Sequence, residues 1–390
     1  MSEAHLDLVA ALPRYAFVPL WFNLSFMGFD KRFTALAGIE LPIIQAPMAG
    51  SSDAELAVAV SEAGGLGSLP CAMLTADQVR ASLQTIRQRT VRPVNLNFFC
   101  HRSPSVDSDR ERQWRERLAS YYVELGIDPS ASSSVPNRAP FDEAMCDVVA
   151  ELKPVVVSFH FGLPSKGLLD RVRTAGARIL SSATTVEEAR WLESEGCDAV
   201  IAQGLEAGGH RGMFLSENAA TQAGIMALTP QIVDAVKIPV VAAGGIADAR
   251  GIVAAFALGA SAVQIGTGYL RCPESRASAV HRKALEHARE DQTIVTNVIT
   301  GRPARGIVNR VIREVGPMSP LAPAFPRAVD ALAPLRAKAE QNGSGDFSPL
   351  WSGQSAAMCL EIPAGQLTRR LAEEALRLMK QLGMTAADSI

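Results

Sequence analysis

The sequence predicts an α/β fold, namely a (β/α)8 TIM barrel with a smaller, mainly helical second domain. Short runs of β-branched and apolar residues alternate with segments whose apolar residues recur at helical spacing, which is typical of parallel α/β folds. Eight candidate strands occur in this alternation, and a closed barrel uses eight. The chain has 390 residues, which is enough for such a barrel and one smaller domain.

The predicted strands follow the apolar runs. In chain order they are “PIIQA” (42–46), “GLGSL” (65–69), “PVNLNFF” (93–99), “PVVVSF” (154–159), “RILSSA” (178–183), “DAVIAQ” (198–203), “PVVAAG” (239–244) and “AVQIG” (262–266). A doubly wound open sheet is the alternative, but it usually has fewer strands and needs a switch point that we cannot locate in this pattern. We therefore expect the closed barrel.

Helical segments lie between these strands. They include “DAELAVAVSEAG” (53–64), “TADQVRASLQTIRQ” (75–88), “TVEEARWLESEG” (185–196) and “DARGIVAAFALG” (248–259). Each begins with Asp or Thr, residue types that cap helix N-termini, and several stop at glycine, which favours helix C-termini. These signals predict one helix after most strands.

Two regions interrupt the alternation, residues 100–147 and 289–360. We predict that they associate as a helical substrate or lid subdomain beside the barrel mouth. The first region follows the third strand, so its ends lie at the face where barrel enzymes build their sites. The barrel itself would comprise residues 29–99 and 148–288.

The two ends of the chain are predicted to lie outside the barrel. Residues 1–28 form an N-terminal extension in this interpretation, because their apolar run contains Arg14 and two prolines and is a poor signal peptide or membrane span. Residues 361–390 are predicted to be a C-terminal helix. Its apolar face carries Leu367, Leu371, Leu376 and Met379.

Composition excludes several classes of function. The net charge is −2, and nucleic-acid binding needs a basic surface, so we expect no nucleic-acid partner. The six cysteines are scattered without C-x-x-C spacing, which argues against a zinc site and a disulfide framework and fits a cytoplasmic protein. We expect a small-molecule substrate and no membrane, and an oligomer is compatible with this composition.

Glycine-rich loops follow the seventh and eighth predicted strands. Gly244, Gly245, Gly266 and Thr267 would lie together at the C-terminal face, where barrels frequently bind phosphate next to a helix N-terminus. Alternatively, the glycines only turn strand into helix. No G-x-x-x-x-G-K-[ST] pattern and no nearby lysine occur, so a monophosphate such as that of FMN suits these loops better than a nucleoside triphosphate.

The first and third strands end in groups that could border a flavin ring. Ala46, Pro47 and Met48 allow close backbone approach, and Asn97 supplies an amide. Each stretch alone could equally be an ordinary strand end.

The segment “GLEAGGHRG” (204–212) places a histidine at the barrel mouth. His210 could transfer a proton near neutral pH, because an unperturbed histidine has a pKa of about 6.5. The alternative is a hydrogen-bonded loop histidine, with Glu206 neutralising Arg211. His160 ends the fourth strand and faces the same mouth, or it is a packing histidine between two phenylalanines. Spacing does not exclude metal binding by His160, His210 and Glu206, but no metal-ligand signature supports it, and we predict no metal.

Together the segments “QAPMAG”, “GGLGSL”, “NLNFF”, “SFHFGLP”, “AQGLEAGGHRG”, “AAGGIAD” and “QIGT” resemble class I nitronate monooxygenases, once called 2-nitropropane dioxygenases. The later “GRPARGIVNR” and “WSGQ” are similar to that family too. The resemblance runs from about residue 29 to about residue 353. It implies an FMN-dependent barrel with a small helical domain that oxidises nitronates, such as propionate 3-nitronate, with O2 to a carbonyl compound and nitrite, without NAD(P)H.

The resemblance also implies roles for particular residues. His210 and His160 would face the substrate above the flavin, with His210 acting as a base or binding the nitro oxygens. The implied FMN contacts are Ala46, Pro47, Met48, Asn97, Gln203, Gly208, Gly209, Gly244, Gly245, Gln264, Ile265, Gly266 and Thr267.

One segment departs from the family pattern. Residues 323–335 carry Phe325 and Val329 where the family has tyrosines, and no lysine follows nearby. This puts the usual substrate in question. The alternatives are an NAD(P)H-dependent quinone or enoyl reductase of the same flavin barrel superfamily, a flavin- or phosphate-binding barrel without turnover, and a metal-dependent lyase or aldolase barrel.

Overall fold

The eight predicted barrel strands are present and parallel, so the predicted TIM barrel is confirmed. The computed structural model describes residues 30–128 and 138–383. The strands are β1 (Ile43–Gln45), β2 (Gly67–Pro70), β3 (Val94–Phe99), β4 (Val156–His160), β5 (Arg178–Ala183), β6 (Ala199–Gln203), β8 (Val240–Ala243) and β9 (Ala262–Ile265). They pair in the order β1-β9-β8-β6-β5-β4-β3-β2, and a bridge between Ile44 and Leu66 closes the circle.

Apolar side chains fill the barrel interior. Ile44, Leu180, Ile201 and Val241 are buried in one cluster, and Phe33 from helix α1 (Arg32–Ala37) joins it. Every residue of β3 is buried, as expected for a strand covered on both faces. The run of apolar residues in each strand is therefore explained by burial of both sheet faces.

Helices surround the barrel, and the four that the sequence predicts begin at the expected residues. They are α2 (Ala54–Glu62), α3 (Ala76–Arg89), α5 (Glu143–Leu152), α6 (Lys166–Thr174), α7 (Val186–Ser194), α8 (Ile225–Ala235), α9 (Ala249–Ala257) and α10 (Ala279–Glu286). The side chains of Asp53, Thr75, Thr185 and Asp248 each accept a backbone N–H at the start of α2, α3, α7 and α9. The capping signals in the sequence thus mark true helix starts.

A second layer lies beside the barrel. It contains α4 (Ser108–Glu124), α11 (Arg310–Val315) and α12 (Ala328–Gln341), with an antiparallel sheet of β10 (Thr293–Thr296), β11 (Ala304–Ile307) and β7 (Gly209–His210) in the order β10-β11-β7. The pattern of apolar residues did not predict these three short strands. The predicted domain boundaries remain a prediction.

One apolar cluster joins the two regions that interrupt the alternation. Trp114 and Tyr122 of α4 pack with Leu332 of α12, and both aromatic side chains donate hydrogen bonds to α12 carbonyls. The Trp114 indole reaches the Ala328 carbonyl at 3.1 Å, and the Tyr122 hydroxyl reaches the Ala331 carbonyl at 2.6 Å. Chain segments about 200 positions apart therefore share one core.

The C-terminal helix α13 (Ala364–Gln381) packs against α2 and α9. Leu367, Leu371 and Met379 of the predicted apolar face are buried, and Leu376 is half-buried. The predicted N-terminal extension, residues 1–28, lies outside the described residues. In the part of the chain that the structure describes, no helix combines the length and hydropathy that crossing a membrane requires.

Candidate active site

A cavity opens at the C-terminal ends of the barrel strands, where barrel enzymes bind their ligands. Of the residues predicted to hold cofactor or substrate, those that line it are Ala46, Pro47, Met48, Asn97, His160, Gln203, Gly208, Gly209, His210, Gly244, Gly245, Gln264, Gly266 and Thr267. Ile265 is the exception, because its side chain is buried in the core between β9 and the outer helices. Residues at or after the ends of six barrel strands, β1, β3, β4, β6, β8 and β9, therefore line the same cavity.

His210 lies on β7, outside the barrel sheet. Its backbone pairs with Ala304 of β11, and its ring nitrogen Nε2 is 2.9 Å from the Thr300 hydroxyl. Rings of Phe325 and Trp351 lie 5.1 and 5.5 Å away, centroid to centroid. Burial, together with the positive charge of Arg138, holds the pKa of His210 well below the usual 6.5. His210 is therefore neutral at physiological pH, which differs from the proton exchange near pH 7 that its unperturbed pKa suggested.

His160 uses both ring nitrogens within the protein. Nε2 is 3.2 Å from the His210 carbonyl and Nδ1 is 3.0 Å from the Ser182 hydroxyl. Because a carbonyl only accepts, Nε2 donates and Nδ1 accepts from Ser182. Burial lowers the pKa of His160 to about 3, so this tautomer is neutral. The ring borders the cavity, but Nε2 holds the backbone of His210 and Nδ1 is taken up by Ser182.

Gln203 supports the same segment from β6. Its amide nitrogen donates to the His210 carbonyl at 3.0 Å, and its amide oxygen accepts from the Gly212 N–H at 2.7 Å. The backbone carbonyl of Gln203 in turn accepts from the buried Arg211 guanidinium at 2.9 Å. The side-chain amide is thus occupied within the protein, and a cofactor contact by Gln203 stays a prediction.

The carboxylate of Glu206 caps the N-terminus of helix α8. Both carboxylate oxygens lie 2.9 Å from the backbone N–H of Ile225, at the first residue of α8. A carboxylate is favoured there by the free N–H groups and the helix dipole. Burial lowers the pKa of Arg211 to about 10, and the negative charge of Glu206 partly opposes this effect.

The glycine loop after β8 adopts a backbone that other residues avoid. Gly244 and Gly245 have φ of 118° and 70°. Gly208 faces a second chain segment, since a Cβ built on it would lie 2.5 Å from the Gly353 nitrogen. This close approach brings residues 351–355 over the strand ends.

Residues 351–355 complete the wall beside these loops. The Ser355 hydroxyl donates to the Gly245 carbonyl at 2.6 Å, and the Gly353 N–H donates to the Thr267 hydroxyl at 2.9 Å. Trp351, Gly353 and Ser355 all line the cavity, but sequence reasoning did not place them there. The sequence feature that could have identified them is the “WSGQ” motif (351–354), which was used only as part of the family resemblance.

Other lining residues were also missed. Ser182 is the next-to-last residue of β5, so the rule that strand ends face the mouth could have identified it, whereas Ser158 lies in the middle of β4. Phe99, Arg138 and His281 line the cavity as well. Arg138 and His281 lie outside the strands, and no local pattern marks them.

Phe325 and Val329, from the segment that departs from the family pattern, occupy different places. Phe325 packs in an apolar cluster with Phe99 and Phe161, next to His210. Val329 lines an adjoining cavity that it shares with His101 and Arg138. The altered segment therefore lies beside His210, where a change of polarity would affect a bound substrate.

The cavity has features that a flavin could use. The Gln264 side-chain oxygen is buried without a hydrogen-bond partner, so it can accept from a ligand N–H. Gly266 lies next to Ala46 and Met48, and a Cβ on it would make ordinary van der Waals contact with the Ala46 Cβ at 3.5 Å. The described residues contain no cluster of three or more His, Cys, Asp or Glu side chains placed to hold a metal ion.

Comparison with known proteins gives a consistent family. Residues 30–374 match the family model described as nitronate monooxygenase. The nitronate monooxygenase of Pseudomonas aeruginosa is 44% identical over 345 residues, covering 88% of this chain and 98% of that protein. The nitronate monooxygenase of Paraburkholderia phytofirmans is 42% identical, covering 89% of this chain and 95% of that protein.

Solved structures agree with the sequence comparison. The nitroalkane oxidase of Streptomyces ansochromogenes superposes with a TM-score of 0.82 at 40% identity, covering 90% of this chain and 99% of that one. The similarity in fold and sequence extends over the barrel and the second layer together.

Proposed function

Because the chain belongs to the nitronate monooxygenase family, we propose that it oxidises alkyl nitronates, such as propionate 3-nitronate, with O2 to a carbonyl compound and nitrite. We further propose FMN as its cofactor. The family is an oxidoreductase family and generally uses a flavin.

The residues of the cavity support FMN. The phosphate would lie at the Gly244–Gly245 and Gly266–Thr267 loops, close to the N-terminus of α9, where backbone N–H groups and the helix dipole favour an anion. The isoalloxazine ring would lie along Ala46, Pro47 and Met48, with Asn97 and the unpartnered oxygen of Gln264 as polar contacts. The chemistry that FMN supplies when bound is electron transfer from the substrate to O2.

The observation that carries the proposed substrate class is the apolar surroundings of His210, whose ring lies 5.1 Å from that of Phe325 and 5.5 Å from that of Trp351, centroid to centroid. In these surroundings the pKa of His210 falls well below 6.5, so the imidazole is a weak base and is poorly suited to removing a carbon-bound proton from a neutral nitroalkane. A nitronate is already an anion and needs no proton removed. His210 would therefore bind and orient the nitro oxygens, while His160 and Gln203 fix its backbone.

The test is to purify the protein, record its visible spectrum and follow O2 consumption with ethyl nitronate and, separately, with NADH. We expect a yellow protein that consumes O2 and releases nitrite with the nitronate, and whose bound flavin is not bleached anaerobically by NADH. Bleaching by NADH without nitronate turnover would support a reductase instead. A yellow protein inactive with both would support a barrel without turnover, and a colourless one that is inhibited by chelators would support a metal-dependent lyase or aldolase.

A further inference from the structure

Arg138 lies where two cavities meet. It lines the cavity at the strand ends, together with His210, and it also lines the adjoining cavity with His101, Val329 and Asp330. It lies near His210, since its charge is the one that acts most strongly on the pKa of His210. A ligand that extends from one cavity to the other must therefore pass this guanidinium.

Arg138 is the only fully charged side chain among the described residues that line the cavity at the strand ends. The remaining ionisable groups there are three histidines, His160, His210 and His281. Burial lowers the pKa of His281 to about 4 and that of His160 to about 3, and it lowers that of His210 as well. At neutral pH the described residues that line this cavity thus carry one positive charge and no negative charge.

The positive charge of Arg138 is poorly compensated by the protein. Its Nη1 atom is buried and has no hydrogen-bond partner. Burial lowers the pKa of Arg138, the positive charge of Arg336 lowers it further, and Asp330 opposes both. A buried cation without full pairing is unfavourable, and an anion bound beside it would relieve this cost.

We propose that Arg138 binds the negatively charged nitronate group of the substrate beside His210 and makes the site select anions over neutral molecules of the same shape. The nature of the anion rests on the proposed function, whereas anion binding at Arg138 does not depend on turnover. The planar guanidinium suits the O–N–O group of a nitronate, because it donates two parallel N–H groups to two oxygens.

The kinetic test compares Arg138→Met with Arg138→Lys and with the matched control Arg336→Met. Arg336 is a neighbouring cation that pairs with Glu340 and lines neither cavity. We expect Arg138→Met to raise KM for ethyl nitronate about tenfold to a hundredfold, with a smaller change in kcat and little effect on nitroethane. Arg138→Lys should keep part of the affinity, and Arg336→Met should match the parent. An unchanged KM for ethyl nitronate in Arg138→Met, or equal losses for both compounds, would overturn the proposal.

A binding test separates this proposal from the proposed function. Inorganic nitrite, which carries a similar O–N–O anion, is titrated into the flavin-loaded protein by calorimetry. We expect the parent and Arg336→Met to bind nitrite and Arg138→Met to bind it at least about tenfold more weakly. This outcome would support anion binding even if nitronates were not turned over. Equal binding by Arg138→Met and the parent, or no binding by the parent, would contradict it.

Two further measurements distinguish other roles of the guanidinium. FMN content reports on the phosphate, and we expect Arg138→Met to retain FMN; loss of FMN with unchanged KM would assign Arg138 to the cofactor and overturn the proposal. The melting temperature without anion reports on a structural role, and we expect it to stay level or rise in Arg138→Met, because an uncompensated buried charge is removed. A large fall that Arg138→Lys also shows would mean that Arg138 holds the fold instead.

Discussion

At the scale of single residues, the backbone of His210 is held more firmly than its ring. Its carbonyl accepts hydrogen bonds from both His160 and Gln203, at 3.2 and 3.0 Å. The ring itself has one polar partner in the described structure, the Thr300 hydroxyl. The arrangement fixes the position of the imidazole and leaves its other nitrogen for a ligand.

Replacement of His210 tests this role directly. We expect His210→Ala to retain FMN and to lose about tenfold to a hundredfold in kcat/KM for ethyl nitronate, because one hydrogen bond to a charged group is removed. Thr300→Ser is the matched control, since it keeps the hydroxyl that contacts the ring, and it should stay close to the parent. If His210→Ala matched the parent in both FMN content and kcat/KM, the assigned role would be wrong.

The sequence allowed some of these residues to be found and not others. His210, Gln264 and Asn97 lie in or just after strands, so a rule about strand ends was enough to place them at the mouth. Arg138 lies outside the helices and strands, next to a Ser- and Pro-rich stretch. In such a region no helical or strand repeat in the sequence indicates which way a side chain faces. The low pKa of His210 was also hidden, because it depends on burial by Phe325 and Trp351, which lie far away in sequence.

At the scale of elements, the site depends on the close contact between the 208–210 segment and residues 351–355. Gly208 allows this contact because its missing side chain leaves room for the backbone of Ser352 and Gly353. The Gly353 N–H then reaches Thr267 in the loop after β9. One glycine therefore holds together parts of three elements around the proposed phosphate and ring positions.

Substitution of Gly208 should separate cofactor binding from stability of the fold. We expect Gly208→Ala to weaken FMN binding by tenfold or more, on the order of 1.4 kcal/mol, because the new Cβ would displace residues 352–353. Gly167→Ala is the control, since a Cβ on this residue of α6 meets nothing within 4 Å and should stabilise the helix by roughly 0.5–1 kcal/mol. Fluorescence titration with FMN gives both affinities. Equal FMN affinity in Gly208→Ala and the parent would show that the 351–355 segment does not border the cofactor.

Prediction of the elements succeeded where local patterns are strong. All eight barrel strands and the four helix starts at Asp53, Thr75, Thr185 and Asp248 follow from apolar runs and capping residues. The strands β7, β10 and β11 have two to four residues each, and pairing with one another defines them. A strand of this length is too short to show an alternation of apolar and polar residues, so its own sequence gives little indication of it.

At the scale of the whole molecule, four histidines with lowered pKa values make stability depend on pH. The pKa values of His101 and His281 are lowered to about 4, that of His160 to about 3, and that of His210 well below 6.5, with burial as the largest cause in each case. In the unfolded chain each would titrate near 6.5. The folded state thus holds these groups neutral over a range in which the unfolded chain protonates them.

The sign of the resulting pH dependence follows from proton counting. Between pH 6.5 and about 4 the unfolded chain binds more protons than the folded one, so the free energy of unfolding falls as the pH falls. Each histidine contributes up to roughly 1.4 kcal/mol per pH unit in this range and nothing above it. We expect melting temperatures to drop from pH 7.5 to pH 5, and to drop less in His281→Gln. A melting temperature that stayed constant or rose on acidification would contradict the burial of these histidines in the neutral form.

The short strand β7 has a consequence for how such an enzyme can change. The barrel supplies the glycine loops and the wall of the cavity, while His210 is paired to β11 in the outer sheet. Mutations in the outer layer can therefore shift His210 while the pairing of the eight barrel strands stays the same. We therefore expect a lineage to change its substrate preference more readily through the outer sheet than through the barrel strands.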